Sequence, residues 1–233
     1  MKHTALHLIA VIILLFSSAG RASAQFKFLQ RLFEPSIFRV TDELRKYIRT
    51  ELPPVTHDRS EEIHHIDMIY VKAMELSHKE VSVALLASAV AVLNRTDFKP
   101  TFPLLGSVVI PLPSENSADA AQRIAKLPRY FLSDSPQDKW GDSPKLVHFF
   151  GSAYLTYETG TKNLPDAIGK WIEEGEATFK LDSLGQQRDV FINRLGQEFG
   201  DALSEGRDVL PSDFLSTEVL KSQYDKIRFG SGN

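Results

Sequence analysis

The sequence predicts an all-α fold, a compact helical domain interrupted by one short extended segment near residues 98–113. Apolar residues recur at spacings of three and four along much of the chain, most regularly between residues 143 and 205, which is the signature of helices that bury one face. Only Phe98 to Pro113 breaks this rhythm, with prolines around a β-branched Val108-Val109-Ile110 core. Prolines cannot donate to a ladder, so the segment reads as extended chain or a short edge strand. There is no cysteine, which excludes disulfides, thiolate metal sites and a cysteine nucleophile. The length suffices to bury a core without such staples.

The first residues read as an export signal. Lys2 precedes an apolar run from Leu8 to Phe16, and small residues lead to Ala22-Ser23-Ala24 before Gln25. This is the three-part pattern of a cleavable signal peptide, residues 1–24, cut after Ala24. The run is far shorter than the roughly 20 residues that span a bilayer. Cleavage removes Lys2 and Arg21 and no acid, taking the formal charge from −3 to −5. The product is expected to be periplasmic or secreted, and its mild acidity without a basic stripe argues against nucleic acid as a partner.

Residues 25–56 are expected to form a helical extension. Phe26, Phe28, Leu29, Leu32 and Phe33 cluster between basic residues, so 26–33 offer peripheral membrane contact, and a helix from Thr41 to Thr50 has Asp42 and Glu43 in its first turn. Whether residues 26–50 pack on the body or on a partner stays open. Pro53-Pro54 ends this segment, and the main helical domain occupies residues 57–233. Asp58-x-x-Glu61 caps a helix carrying Ile63, Ile66, Ile69, Tyr70, Ala73 and Met74 on one face. Val81 to Leu93 is apolar but too short to span a membrane, so it reads as a buried core helix. A short helix is expected around Ala118 to Ala125, then a polar linker from Ser133 to Asp142.

A three-helix region, 143–205, follows. Ser143-Pro144 is expected to cap a helix with Leu146, Phe149, Phe150, Ala153, Tyr154 and Tyr157 along one stripe, closed by Gly160. A second helix is expected from Pro165 to about Lys180. A third opens at Asp189 and buries Phe191, Ile192, Leu195, Phe199 and Leu203. Gly196 and Gly200 lie one turn apart on it, leaving room for another backbone. One more short helix is expected at Glu218 to Ile227.

Polar residues among these stripes define a candidate cluster of His148, Glu174, Glu176, Asp189 and Asn193. Such a group between packed helices either forms a hydrogen-bonded network that specifies packing or binds a metal or does acid–base chemistry through His148 and a glutamate. His64 and Asp67, at i and i+3, form a second pair that a divalent metal could use if other ligands joined them. No nucleophile elbow, phosphate-binding loop or H-E-x-x-H motif is present.

The spacing Asp189-x3-Asn193-x2-Gly196-x3-Gly200, with acidic residues on the preceding helix and His148-Phe149 on an earlier one, resembles the VanZ-like family and its YfiM-like envelope relatives over residues 142–203. The resemblance implies a small helical envelope protein of undefined biochemical role. Lys170, Glu173, Glu176, Arg194 and Glu198 mark a water-soluble version. The expectation is therefore a non-enzymatic envelope protein with no cofactor, acting on an envelope protein or a peptidoglycan-associated partner. Two rivals are a metal-dependent hydrolase built on His148 and nearby carboxylates, and a binder of apolar ligands or lipid exploiting the fifteen phenylalanines.

Overall fold

The computed structural model describes residues 34–93, 97–98, 101–102, 106–107, 110–111, 115–160 and 183–216. The signal peptide expected over residues 1–24, residues 26–33, the helix expected at Pro165–Lys180 with Glu174 and Glu176, and the helix expected at Glu218–Ile227 all lie outside the described residues. The fold is all-α, with helices α1 (Pro35–Thr50), α2 (Arg59–Leu76), α3 (Val81–Ala91), α4 (Ser117–Lys126), α5 (Lys145–Thr159), α6 (Ser183–Ser204) and α7 (Ser212–Leu215). None of them is long and apolar enough to cross a membrane.

Helix α1 starts six residues before the expected Thr41, so Asp42 and Glu43 fall mid-helix rather than in a first turn. Pro35 supplies the start, because its fixed φ suits the first helical position. Ile37, Val40, Leu44 and Ile48 then step by three and four into the core, and all are buried. This part of the N-terminal segment thus packs on α3, α2 and α4. On α2 the Asp58 carboxylate accepts the Glu61 N–H at 3.0 Å, the cap that the sequence spells out. Every residue of α3 from Val83 to Ala91 is buried, as a central core helix requires.

Two arginines close the C-terminal end of α3. Arg123 of α4 donates Nη1 to the carbonyls of Ala91 and Leu93, at 2.8 and 3.0 Å, while Nε and Nη2 grip the Glu115 carboxylate. Arg45 of α1 reaches the Val90 carbonyl at 3.4 Å. Cations at this end also meet the negative pole of the helix dipole. Burial, reinforced by the Arg123 charge, pushes Arg45 down to about 10, so it stays charged at neutral pH.

The extended segment pairs with itself. Asp97 and Phe98 (β1) oppose Pro111 and Ile110 (β4), and Thr101 and Phe102 (β2) oppose Ser107 and Gly106 (β3), antiparallel and in one common register. These two-residue ladders leave the helical class intact.

Helices α5 and α6 form the most extensive pair. They run parallel, since Lys145 meets Asp189 near one end and Ala153 lies under Gly200 further along. Phe199 of α6 is the hub, with ring centroids of Phe149, Tyr70 and Phe214 at 5.5, 5.1 and 5.5 Å. Two expectations need correction here. Ser143 does not cap α5: its hydroxyl donates to the Trp140 carbonyl at 2.8 Å, and Pro144 takes the cap position with αR backbone. Helix α6 starts at Ser183 rather than Asp189, because Gln186, Gln187 and Arg188 are good helix formers with no breaker among them. Gly160, at φ 61°, closes α5 as expected.

Candidate functional site

The parallel pair brings together much of the polar cluster. Lys145, His148 and Ser152 follow one another at three and four residues along α5, and Asp189 and Asn193 lie one turn apart on α6. Lys145 Nζ is hydrogen-bonded to Asp189 Oδ1, and His148 Nε2 stands 3.6 Å from the same oxygen. One turn further, the Ser152 hydroxyl donates to Asn193 Oδ1 at 3.0 Å in a buried bond. Lys145, His148 and Asp189 are largely but not wholly buried, so one edge of this seam meets solvent.

Beneath it, glycine sets the distance between the helices. A Cβ added at Gly196 would lie 3.0 Å from the carbonyl carbon of Phe149 and closer still to its oxygen. At Gly200 it would lie 2.9 Å from the carbonyl carbon and the Cα of Ala153. The two backbones therefore touch, and the polar side chains above them are held at short range.

An adjoining network was not foreseen. Asp142, in the expected polar linker, is fully buried. Its carboxylate accepts from the Leu132 N–H at 2.9 Å and from the Ser135 hydroxyl, and it pairs with Arg188 of α6. Arg188 also lies 3.2 Å from the more exposed Asp134. Burial pushes the Asp142 carboxyl up, against the pull of the Ser135, Leu132 and Arg188 contacts. The only local hint was an acid next to a Ser-Pro helix start; its partner lies 46 residues away.

The second candidate pair, His64 and Asp67, lines a shallow groove of about 340 Å³ with Tyr47, Met68, Val71 and Leu210. His64 is exposed, while Asp67 Oδ1 accepts the Ser212 N–H at 2.8 Å and so anchors α7 to α2. Among the described residues no group of three or more histidines, cysteines and acids converges to hold a metal ion. At Asp189 the carboxylate already faces the Lys145 ammonium, whose charge opposes a cation there.

Neighbouring His65 is buried, and its Nδ1 has no hydrogen-bond partner among the described residues. Burial lowers its pKa below the ordinary 6.5, with Glu62 opposing and His64 adding to the shift. Between the folded and unfolded pKa values the unfolded chain holds more protons. The stability His65 contributes is thus complete above about pH 6.5 and declines as the pH falls below it. Asp67, raised by burial, acts with the opposite sign and from a lower ordinary value of 3.8. Melting temperatures measured from pH 7 down to about 5 should fall more steeply for the parent protein than for His65→Gln; parallel curves would refute this assignment.

Comparison with protein-family models, curated proteins and solved structures finds no match to this chain.

Proposed function

We propose that this chain is an exported protein of the bacterial cell envelope that works by contact rather than catalysis, on an envelope protein or a peptidoglycan-associated partner. In this reading it is a water-soluble relative of the VanZ-like and YfiM-like group. The observation that carries the reading is the seam between α5 and α6. Its reactive groups are directed at one another: Lys145 and His148 toward Asp189, Ser152 toward Asn193, and Arg188 toward Asp142. Satisfied networks of this kind fix the packing of two helices. The groove beside Val71 and Leu210, both exposed apolar residues, supplies a surface for a contact partner.

Export is tested by expressing residues 1–233 in a bacterial host and determining the mass and N-terminal sequence of the periplasmic product. A chain starting at Gln25 is expected; a cytoplasmic chain that keeps residues 1–24 would overturn this half of the proposal. The structural role of His148 is tested by thermal unfolding of the mature protein and of His148→Ala, each with chelator and with zinc. The expected result is no response to metal in either, and a loss of about 1 kcal/mol in the variant. If zinc raises the melting temperature of the parent but not of the variant, His148 is a ligand and the hydrolase reading replaces this one.

A further inference from the structure

The groove beside Val71 combines an apolar floor with a rim that is mostly acidic. His64, Met68, Val71 and Glu75 line it from α2, and their spacing of four, three and four residues puts them on one helix face. Tyr47 of α1 and Leu210, just before α7, complete the lining. Val71 and Leu210 are 50% and 38% exposed, and they are two of the four large apolar residues left exposed among the described residues. Their meeting in one groove makes a patch rather than a scatter, and such patches mark contact sites.

Three acids border this floor. Glu75 ends the α2 stripe with its side chain 67% exposed. Glu51, the residue after α1, and Asp213 of α7 are exposed too. The Asp213 carboxylate accepts the Leu210 N–H at 2.8 Å, which sets its charge beside the apolar residue. Burial pushes the Tyr47 hydroxyl up; Glu51 and Glu75 push it further, against the pull of Lys72. Lys72 is the one lysine in the lining. Its ammonium is bonded to Glu75 at 3.0 Å and stands 5.6 Å from the centre of the Tyr47 ring, so its charge is already matched. Lys46, next to Tyr47, is turned about 100° around α1 from it.

We propose that this groove is the docking site for a basic amphipathic segment of a partner protein. An apolar side chain of that segment sits between Met68, Val71 and Leu210, and its Lys or Arg side chains face Glu51, Glu75 and Asp213. The inference deepens the reading that this chain works by contact, and rests on it. Charge complementarity selects the occupant. A second copy of this chain meeting groove to groove would set the same three acids against one another. An anionic lipid surface would be repelled by them. A basic segment converts that repulsion into attraction while its apolar face covers the floor, as in helix-in-groove recognition.

The purified protein is titrated with a fluorescent amphipathic peptide of leucine and lysine, and with its leucine and glutamate counterpart. The lysine peptide is expected to bind, less tightly as salt is raised, and the glutamate peptide is not. Glu51→Gln and Glu75→Gln should each weaken binding about fivefold, and Val71→Ser about tenfold, all with cooperative melting unchanged. Asp134→Asn, in the Arg188 network rather than at the groove, should leave binding as it is. Equal binding of the two peptides, or of neither, overturns the proposal. So does an equal loss in Asp134→Asn, which would mean attraction to the net charge alone. If Val71→Ser changes the sedimentation of the protein by itself, the occupant is a second copy and the proposal also falls. The contact reading is scored separately, by the response of the parent and His148→Ala to zinc.

Discussion

Gly196→Ala is expected to lower the unfolding free energy by about 3 kcal/mol, at the upper end of what overpacking a core costs. The added methyl would meet the Phe149 backbone rather than a side chain that can swing away. Relief therefore requires α5 and α6 to separate, which strains the Ser152–Asn193 and Lys145–Asp189 bonds as well. Gly200→Ala should behave alike against Ala153, and the double variant should lose cooperative unfolding. The sign is informative in itself, since alanine is the better helix former by about 1 kcal/mol. Gly151, on α5, has no atom within 4 Å of an added Cβ, so Gly151→Ala should stabilise. Urea denaturation of the three single variants checks the set; a neutral or stabilising Gly196→Ala would mean that the two backbones do not touch.

The second large effect is expected at Asp142. Removing its carboxylate by Asp142→Ala leaves the Arg188 guanidinium buried without its main counter-charge and the Leu132 N–H without an acceptor. Breaking one side of a buried pair typically costs about 3–5 kcal/mol. Asp142→Asn keeps an acceptor for Leu132 and Ser135 and should lose less. Asp134→Ala, at the exposed end of the same arginine, should cost at most about 1 kcal/mol. Equal losses at Asp134 and Asp142 in denaturant melts would contradict the burial on which the argument depends.

How far these features could be read from sequence depends on the span over which each is encoded. The Asp58 cap lies three residues from its N–H and was legible at once. So was the stripe from Leu146 to Tyr157, whose members are buried except for the half-buried Tyr157. Gly196 and Gly200 announced a close approach, but nothing local said that it would be made by Phe149 and Ala153 of a parallel helix. His148, Asp189 and Asn193 lie along one seam, while Glu174 and Glu176 fall outside the described residues. The roles of Lys145 as the cation on Asp189 and of Ser152 as the donor to Asn193 were not legible, because salt bridges and hydroxyl bonds between helices leave no periodic trace. Asp142 was the hardest. An acid among serines, a proline and other acids resembles a solvated loop, and only tertiary contact with Arg188 makes it a core residue. The early start of α1 comes from Pro35, which serves as the first residue of the helix six positions ahead of Thr41.

The bond between the Ser212 N–H and Asp67 joins positions 145 apart in the chain. Asp67 is buried on α2, yet the N–H that donates to its carboxylate lies on the single-turn helix α7. Closing so large a loop carries an entropic cost that grows with length, and long-range pairings of this kind slow folding. A nascent chain that has emerged only through α6 thus holds an acidic group for which the apolar core offers no match. The contact that fixes α7 to α2 therefore stays unmade until the chain has grown 145 positions past Asp67.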